Sequence, residues 1–118
     1  MLDPAVVQGL LDAEEPAALR ARVDAAVDDE RALAGQLRHW SVRGDLEALR
    51  RGAADMRSRA EAMGLRRLAN RLVELERVAD LEALGQAHLQ SQHLARLIDE
   101  DIADDFQALL AAIDEAGG

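Results

Sequence analysis

The sequence predicts an all-α fold: four antiparallel helices running up and down in a bundle, preceded by a short extra helix. Apolar residues recur at three- and four-residue steps over long stretches, as a helix with one buried stripe requires. Hydrophobic residues make up 49% of the chain, yet Trp40 and Phe106 are its only aromatics. The core must therefore be built from Leu, Val, Ile, Met and Ala, which suits close-packed helices better than a sheet. Its two prolines, Pro4 and Pro16, both lie near the N-terminus, so no proline interrupts the helical pattern from position 17 onward.

Asp3-Pro4 reads as a helix start, with a capping carboxylate and then Pro at the first helical position. Leu2, Val6, Leu10 and Leu11 are expected to face inward from this short helix. Asp12–Pro16 ends it and opens the second, from Ala17 to about Val42, with a seam of Leu19, Val23, Ala26/Val27, Leu33/Ala34, Leu37 and Trp40. Glu30 falls where an apolar residue would fit, and a looser middle is expected there. Arg43-Gly44-Asp45 is a turn, with Gly suited to a helix C-terminus and Asp to the next N-cap.

Leu46, Leu49, Ala53, Met56, Ala60 and Met63 form the third seam, Gly64 interrupts it, and Leu65, Leu68, Leu72 and Leu75 begin the fourth at once. Amphipathic helices joined by so short a turn fold back as an antiparallel hairpin, residues 45–84, with a break at Gly85. From about Ala87 a last helix carries Leu94, Leu97/Ile98, Ile102, Phe106, Leu109 and Ile113. At 118 residues the chain makes one domain, 1–118.

The net charge of −9 is unevenly spread. Residues 1–42 hold four Arg and eight acids, residues 43–77 nine Arg and six acids, and residues 78–118 one Arg and nine acids. The hairpin is thus a basic zone in an acidic chain. Two readings stay open: arginines neutralising acidic neighbours within the bundle, or a docking face for an acidic partner. Duplex nucleic acid is a poor partner for so acidic a protein. No segment is apolar enough to span a membrane and the N-terminus carries no basic region before its apolar residues, so a cytoplasmic location and no membrane association are expected. Cys is absent, which excludes a disulfide framework and thiolate metal sites.

The residues around the third seam carry a more specific pattern. Met56, Gly64, Leu68, Leu75 and Glu76 lie 2, 10, 14, 21 and 22 residues after Ala54. This resembles the signature of bacterial histidine phosphotransfer (HPt) domains, in which a phospho-accepting His is followed by an apolar residue at +2, Lys at +3, Gly at +4 and Gly at +10. A Leu and then a Leu-Glu pair follow at the spacings seen here. Arg57 replaces the Lys, Ser58 replaces the Gly, and Ala54 stands where the His belongs. The Gly44-Asp45 pair ahead of the motif helix and the LDPAVV opening are further, weaker matches.

The resemblance implies a bundle of HPt type and a partner from a two-component phosphorelay, either a response-regulator receiver domain or a histidine kinase. It also implies an exposed docking face around position 54. Ala54, Arg57, Ser58 and Glu61 share that face, with Arg50, Arg51 and Arg66 or Arg67 on its rim. Ala54 offers no nucleophile, so the expected role is a non-catalytic signalling module, not an enzyme, with no cofactor and no metal. Two alternatives remain: a working phosphotransfer protein that uses His39, His88 or His93, and a helical module outside phosphosignalling, such as a homodimer through the last helix. His88 and His93 are five apart, on different faces of a helix, which argues against a shared metal. The acidic run from Asp99 to Asp105 lacks the Gly and spacing of a calcium loop and reads as a solvated face.

Overall fold

The computed structural model describes residues 1–117, and among them the chain forms helices joined by short connections, with no strand. Five helices follow in order: α1 (Pro4–Ala13), α2 (Pro16–Arg43), α3 (Leu46–Ala62), α4 (Arg66–Ala83) and α5 (Gln90–Gly117). The four long helices pack as a ring in chain order, α2 against α3, α3 against α4, α4 against α5 and α5 back against α2, while α1 lies across one end. Ion pairs fix the directions. Arg20 meets Asp114 and Arg38 meets Asp99 across α2–α5, Arg50 meets Asp80 and Arg57 meets Glu76 across α3–α4, and Arg67 meets Asp104 across α4–α5. Where two pairs join the same helices, α2–α5 and α3–α4, the contact advances along one helix as it retreats along the other, so these neighbours are antiparallel. No helix among the described residues is long and apolar enough to cross a membrane.

The seams read from the sequence form one core. Leu19, Leu37, Leu49, Met56, Leu65, Leu68, Leu72, Leu75, Ile98, Ile102, Phe106 and Leu109 are its largest fully buried side chains. Helix ends follow from local chemistry. Asp3 and Asp45 cap α1 and α3 by accepting from backbone N–H groups of the first turn. At the tip of the hairpin the Leu65 N–H returns to the Ala60 carbonyl at 2.9 Å and the Gly64 N–H to that of Glu61 at 3.1 Å, a Schellman turn that needs a left-handed residue at Gly64 (φ 73°). A Cβ there would also come within 3.2 Å of the Asp3 carbonyl and of Val7, because the N-terminal segment lies against this turn. Gly52 has a different reason. A Cβ on it would fall 2.7 Å from the Trp40 ring and 3.0 Å from Leu37, so its absence lets α2 and α3 approach.

Four expectations need correction. In α1 the buried residue is Val7, with Leu2, Leu10 and Leu11 only partly covered, because the short helix crosses the end of the bundle and presents a different face. The last helix begins at Gln90 and not near Ala87, after a connection in which Leu89 adopts φ 62°. The middle of α2 is not loose: Glu30 is 3% exposed and its carboxylate accepts from Arg59 of α3, from Nε at 2.5 Å and from Nη2 at 3.4 Å. The acidic run on α5 is not wholly solvated either, since Asp101 and Asp105 are buried.

Candidate functional site

Helix α4 starts without a capping side chain, because Leu65 occupies the N-cap position. The vacancy is filled from another helix: Asp105 of α5, fully buried, accepts from the Leu68 N–H at 2.9 Å and pairs with the Met1 amine at 2.6 Å. Asp101, one turn earlier, accepts from Arg71 Nε at 2.8 Å, with Arg67 3.9 Å away. Sequence reasoning missed these roles. The readable signal was a helix start with Leu where Ser, Thr, Asp or Asn would be expected, and two acids on the buried edge of a helix.

The face predicted to bind a partner lies on the other side of α4, between it and α3. Ala54 is half-buried on its edge and Ser58 is exposed. Arg57 Nε donates to Glu76 at 2.6 Å, and its Nη1 donates to Glu61 at 3.3 Å. Hydrogen bonding to Glu76, then to Glu61, raises the Arg57 pKa above its ordinary value. Arg50 lies 3.5 Å from Glu47 and 3.7 Å from Asp80. Arg66 pairs with Asp3 at 3.3 Å and Arg67 with Asp104 at 2.9 Å. The structure therefore brings Arg50, Arg51, Ala54, Arg57, Ser58 and Glu61 onto one surface, while Arg66 turns to the N-terminal segment and Arg67 to α5.

Internal neutralisation holds for most arginines of the basic zone. Arg50, Arg57, Arg59, Arg66, Arg67 and Arg71 are engaged within the molecule. Arg43, Arg51 and Arg77 have no acidic partner within 4 Å among the described residues. Arg59 and Arg71 also have pKa values above the ordinary one, through hydrogen bonds to Glu30 and Asp101. A raised folded-state value contributes stability that is complete below the unfolded arginine value and is lost only as pH rises through the folded one. That window is strongly alkaline, so these arginines stay charged throughout the neutral range.

Two residues of this face went unread in the sequence. Val73 is 50% exposed, and Arg77 follows it one turn later on α4. The Arg57–Glu76 and Arg50–Asp80 pairs set the register of the hairpin, which places Arg77 at the height of Ala54 and Val73 near that of Ser58. The signal was the hairpin register itself, readable only once both helices are aligned.

His39, His88 and His93 are exposed and lie toward the end of the bundle where α2 stops and α5 starts. Among the described residues no three His, Cys, Asp or Glu side chains are gathered to hold a metal ion. Of the surface depressions, the one between α2 and α3 is lined by Ala26, Glu30, Arg59, Ala62 and Met63, with Arg22 and Asp29 at its edge.

No protein-family model, no curated protein and no solved structure matches this chain.

Proposed function

We propose that this protein is a non-catalytic HPt-like signalling module that docks a receiver domain or a histidine kinase of a two-component phosphorelay without accepting phosphate. The observation that carries the proposal is the surroundings of Ala54. A methyl group lies at the outward edge of the α3–α4 hairpin, where the resembling family carries its nucleophile, and no His lies on either helix of the hairpin. Other motif positions support the same alignment. Arg57 (+3) and Glu76 (+22) form one ion pair, and Gly64 (+10) takes the left-handed turn at the hairpin tip.

Phosphoryl transfer to a side chain needs an exposed nucleophile that a phospho-aspartate can approach in line. Position 54 offers the access and Ala54 lacks the lone pair. The module would then occupy a partner's docking surface and compete with, or scaffold, the relay. Arg57, paired with Glu61 and Glu76, offers an incoming phosphate no unengaged cation, which favours binding without transfer.

The test is binding of the purified protein to receiver domains and kinases from its own genome, by calorimetry. A complex weakened by Ala54→Arg supports the proposal, and the absence of any complex removes it. A second arm restores the chemistry. Ala54→His, combined with Arg57→Lys and Ser58→Gly, is expected to take acid-labile label from a phosphorylated receiver that binds, whereas the native protein takes none. Label on the native protein, lost in His39→Ala, His88→Ala or His93→Ala, would overturn the non-catalytic reading.

A further inference from the structure

The α3–α4 face divides its arginines into two classes. Arg57 is held by two carboxylates and Arg50 lies near two more. Neither reaches a partner without giving up charges of its own. Arg51 and Arg77 are exposed and without an acidic partner within 4 Å. Arg51 precedes Ala54 by three residues on α3, and Arg77 stands at the height of Ala54 on α4.

Between and beside them the surface is small or apolar: Ala54, Ser58 and the half-exposed Val73. The large hydrophobics exposed elsewhere among the described residues, Met1, Val42, Leu84 and Leu89, lie at the chain terminus, in the last turn of α2 or in the α4–α5 connection. Val73 thus stands apart from them, midway along a helix. Most acids of the two helices are engaged by groups other than Arg51 and Arg77, Glu76 by Arg57 and Glu82 by Ser91 among them. Glu61 is held by Arg57. Asp80 and Glu47 face Arg50. Asp55 and Glu74 lie one turn from Arg51 and Arg77 along their own helices, and neither comes within 4 Å of them.

We infer that Arg51 and Arg77, with Val73 as the apolar contact, are the residues that recognise the partner, and that they fit a protein surface presenting an apolar side chain flanked by carboxylates. Arg57, at the motif position where a cation is expected to meet the partner, is instead paired with Glu61 and Glu76 within the hairpin. The inference deepens the proposed function and rests on it for the identity of the partner; the surface itself is tested separately. Charge complementarity selects the occupant, since uncommitted cations around a small apolar saddle attract acid-flanked apolar groups and repel basic ones.

The probe is a helical Ala-based peptide presenting one Leu, with Glu one turn before it and one turn after it. It is titrated into the isotope-labelled full chain and followed by amide chemical shifts. The expected shifts cluster at Arg51, Ala54, Ser58, Val73 and Arg77. Arg51→Glu with Arg77→Glu weakens binding about tenfold, whereas Arg57→Gln, which only frees Glu61 and Glu76, weakens it clearly less. Val73→Ser weakens it as well, and the same peptide with Lys in place of Glu gives no shifts. All of these substitutions are at half-exposed or exposed positions, and circular dichroism confirms the fold of each variant.

No shifts, shifts elsewhere, equal binding of the Lys peptide, or a larger loss in Arg57→Gln would overturn the inference. Shifts at the same residues that depend on protein concentration without peptide would assign the face to a second copy and overturn it too. Failure of the receiver and kinase titrations with success of the peptide removes the proposed function and leaves the surface standing; the reverse removes only the surface assignment.

Discussion

The two flanks of α4 are built from the same residue types and end in opposite conditions. Toward α5, Arg71 and the first turn of the helix meet Asp101 and Asp105, both nearly or fully buried. Toward α3, Arg57 and Arg50 meet Glu76, Glu61 and Asp80 at a partly or fully exposed surface. A carboxylate inside the bundle is expensive to desolvate and must be answered by donors, so removing either side leaves an uncompensated group. A pair at the surface has water as an alternative and contributes little. The comparison separates charges that hold the fold from charges paired at the surface to little effect, although composition treats them alike.

Breaking the buried flank should have the largest effect. Asp105→Ala leaves the Leu68 N–H without its acceptor inside the core, and is expected to destabilise the protein by about 3 kcal/mol in urea unfolding. A loss below about 1 kcal/mol would mean that water replaces the carboxylate and that the buried flank resembles the exposed one. The Glu30–Arg59 pair is intermediate and sharpens the contrast through its asymmetry. Arg59→Ala strands a buried carboxylate and should cost about 2 kcal/mol, tempered by the groove that gives Glu30 some access to water. Glu30→Ala strands only a half-exposed guanidinium and should cost about 1 kcal/mol. Equal losses would show that pairing, not desolvation, sets the energy.

The smallest effect is expected on the exposed flank. Arg57→Gln and Arg77→Gln should leave the unfolding midpoint unchanged within error, and added salt should alter the native protein and these variants alike. A clear shift for Arg77→Gln would place that residue among the structural charges and remove it from the binding face.

Much of the architecture was legible because it depends on local rules. The seams of α2 to α5, the capping by Asp3 and Asp45, and the turns at Gly44, Gly64 and Gly85 follow from periodicity and backbone conformation, and the structure places them where the sequence does. The face around Ala54 was legible for the same reason: residues three, four and seven apart share one side of a helix. Glu30 was misread because periodicity registers a polar residue in an apolar stripe only as a defect; its donor comes from a residue 29 positions away. Asp105 was misread among solvated acids because its acceptor role belongs to a helix start 37 positions back.

Sequence alone therefore determined the helices, their order and the side of the hairpin on which position 54 lies. Each of these is set by interactions within a few turns of chain. Only the tertiary structure decided which charges are spent inside the molecule and which are free, and so separated Arg57 from Arg51 and Arg77. The physical reason is range: a side chain's chemical type is written at its own position, but its burial and its partner are set by whichever helix the fold lays beside it.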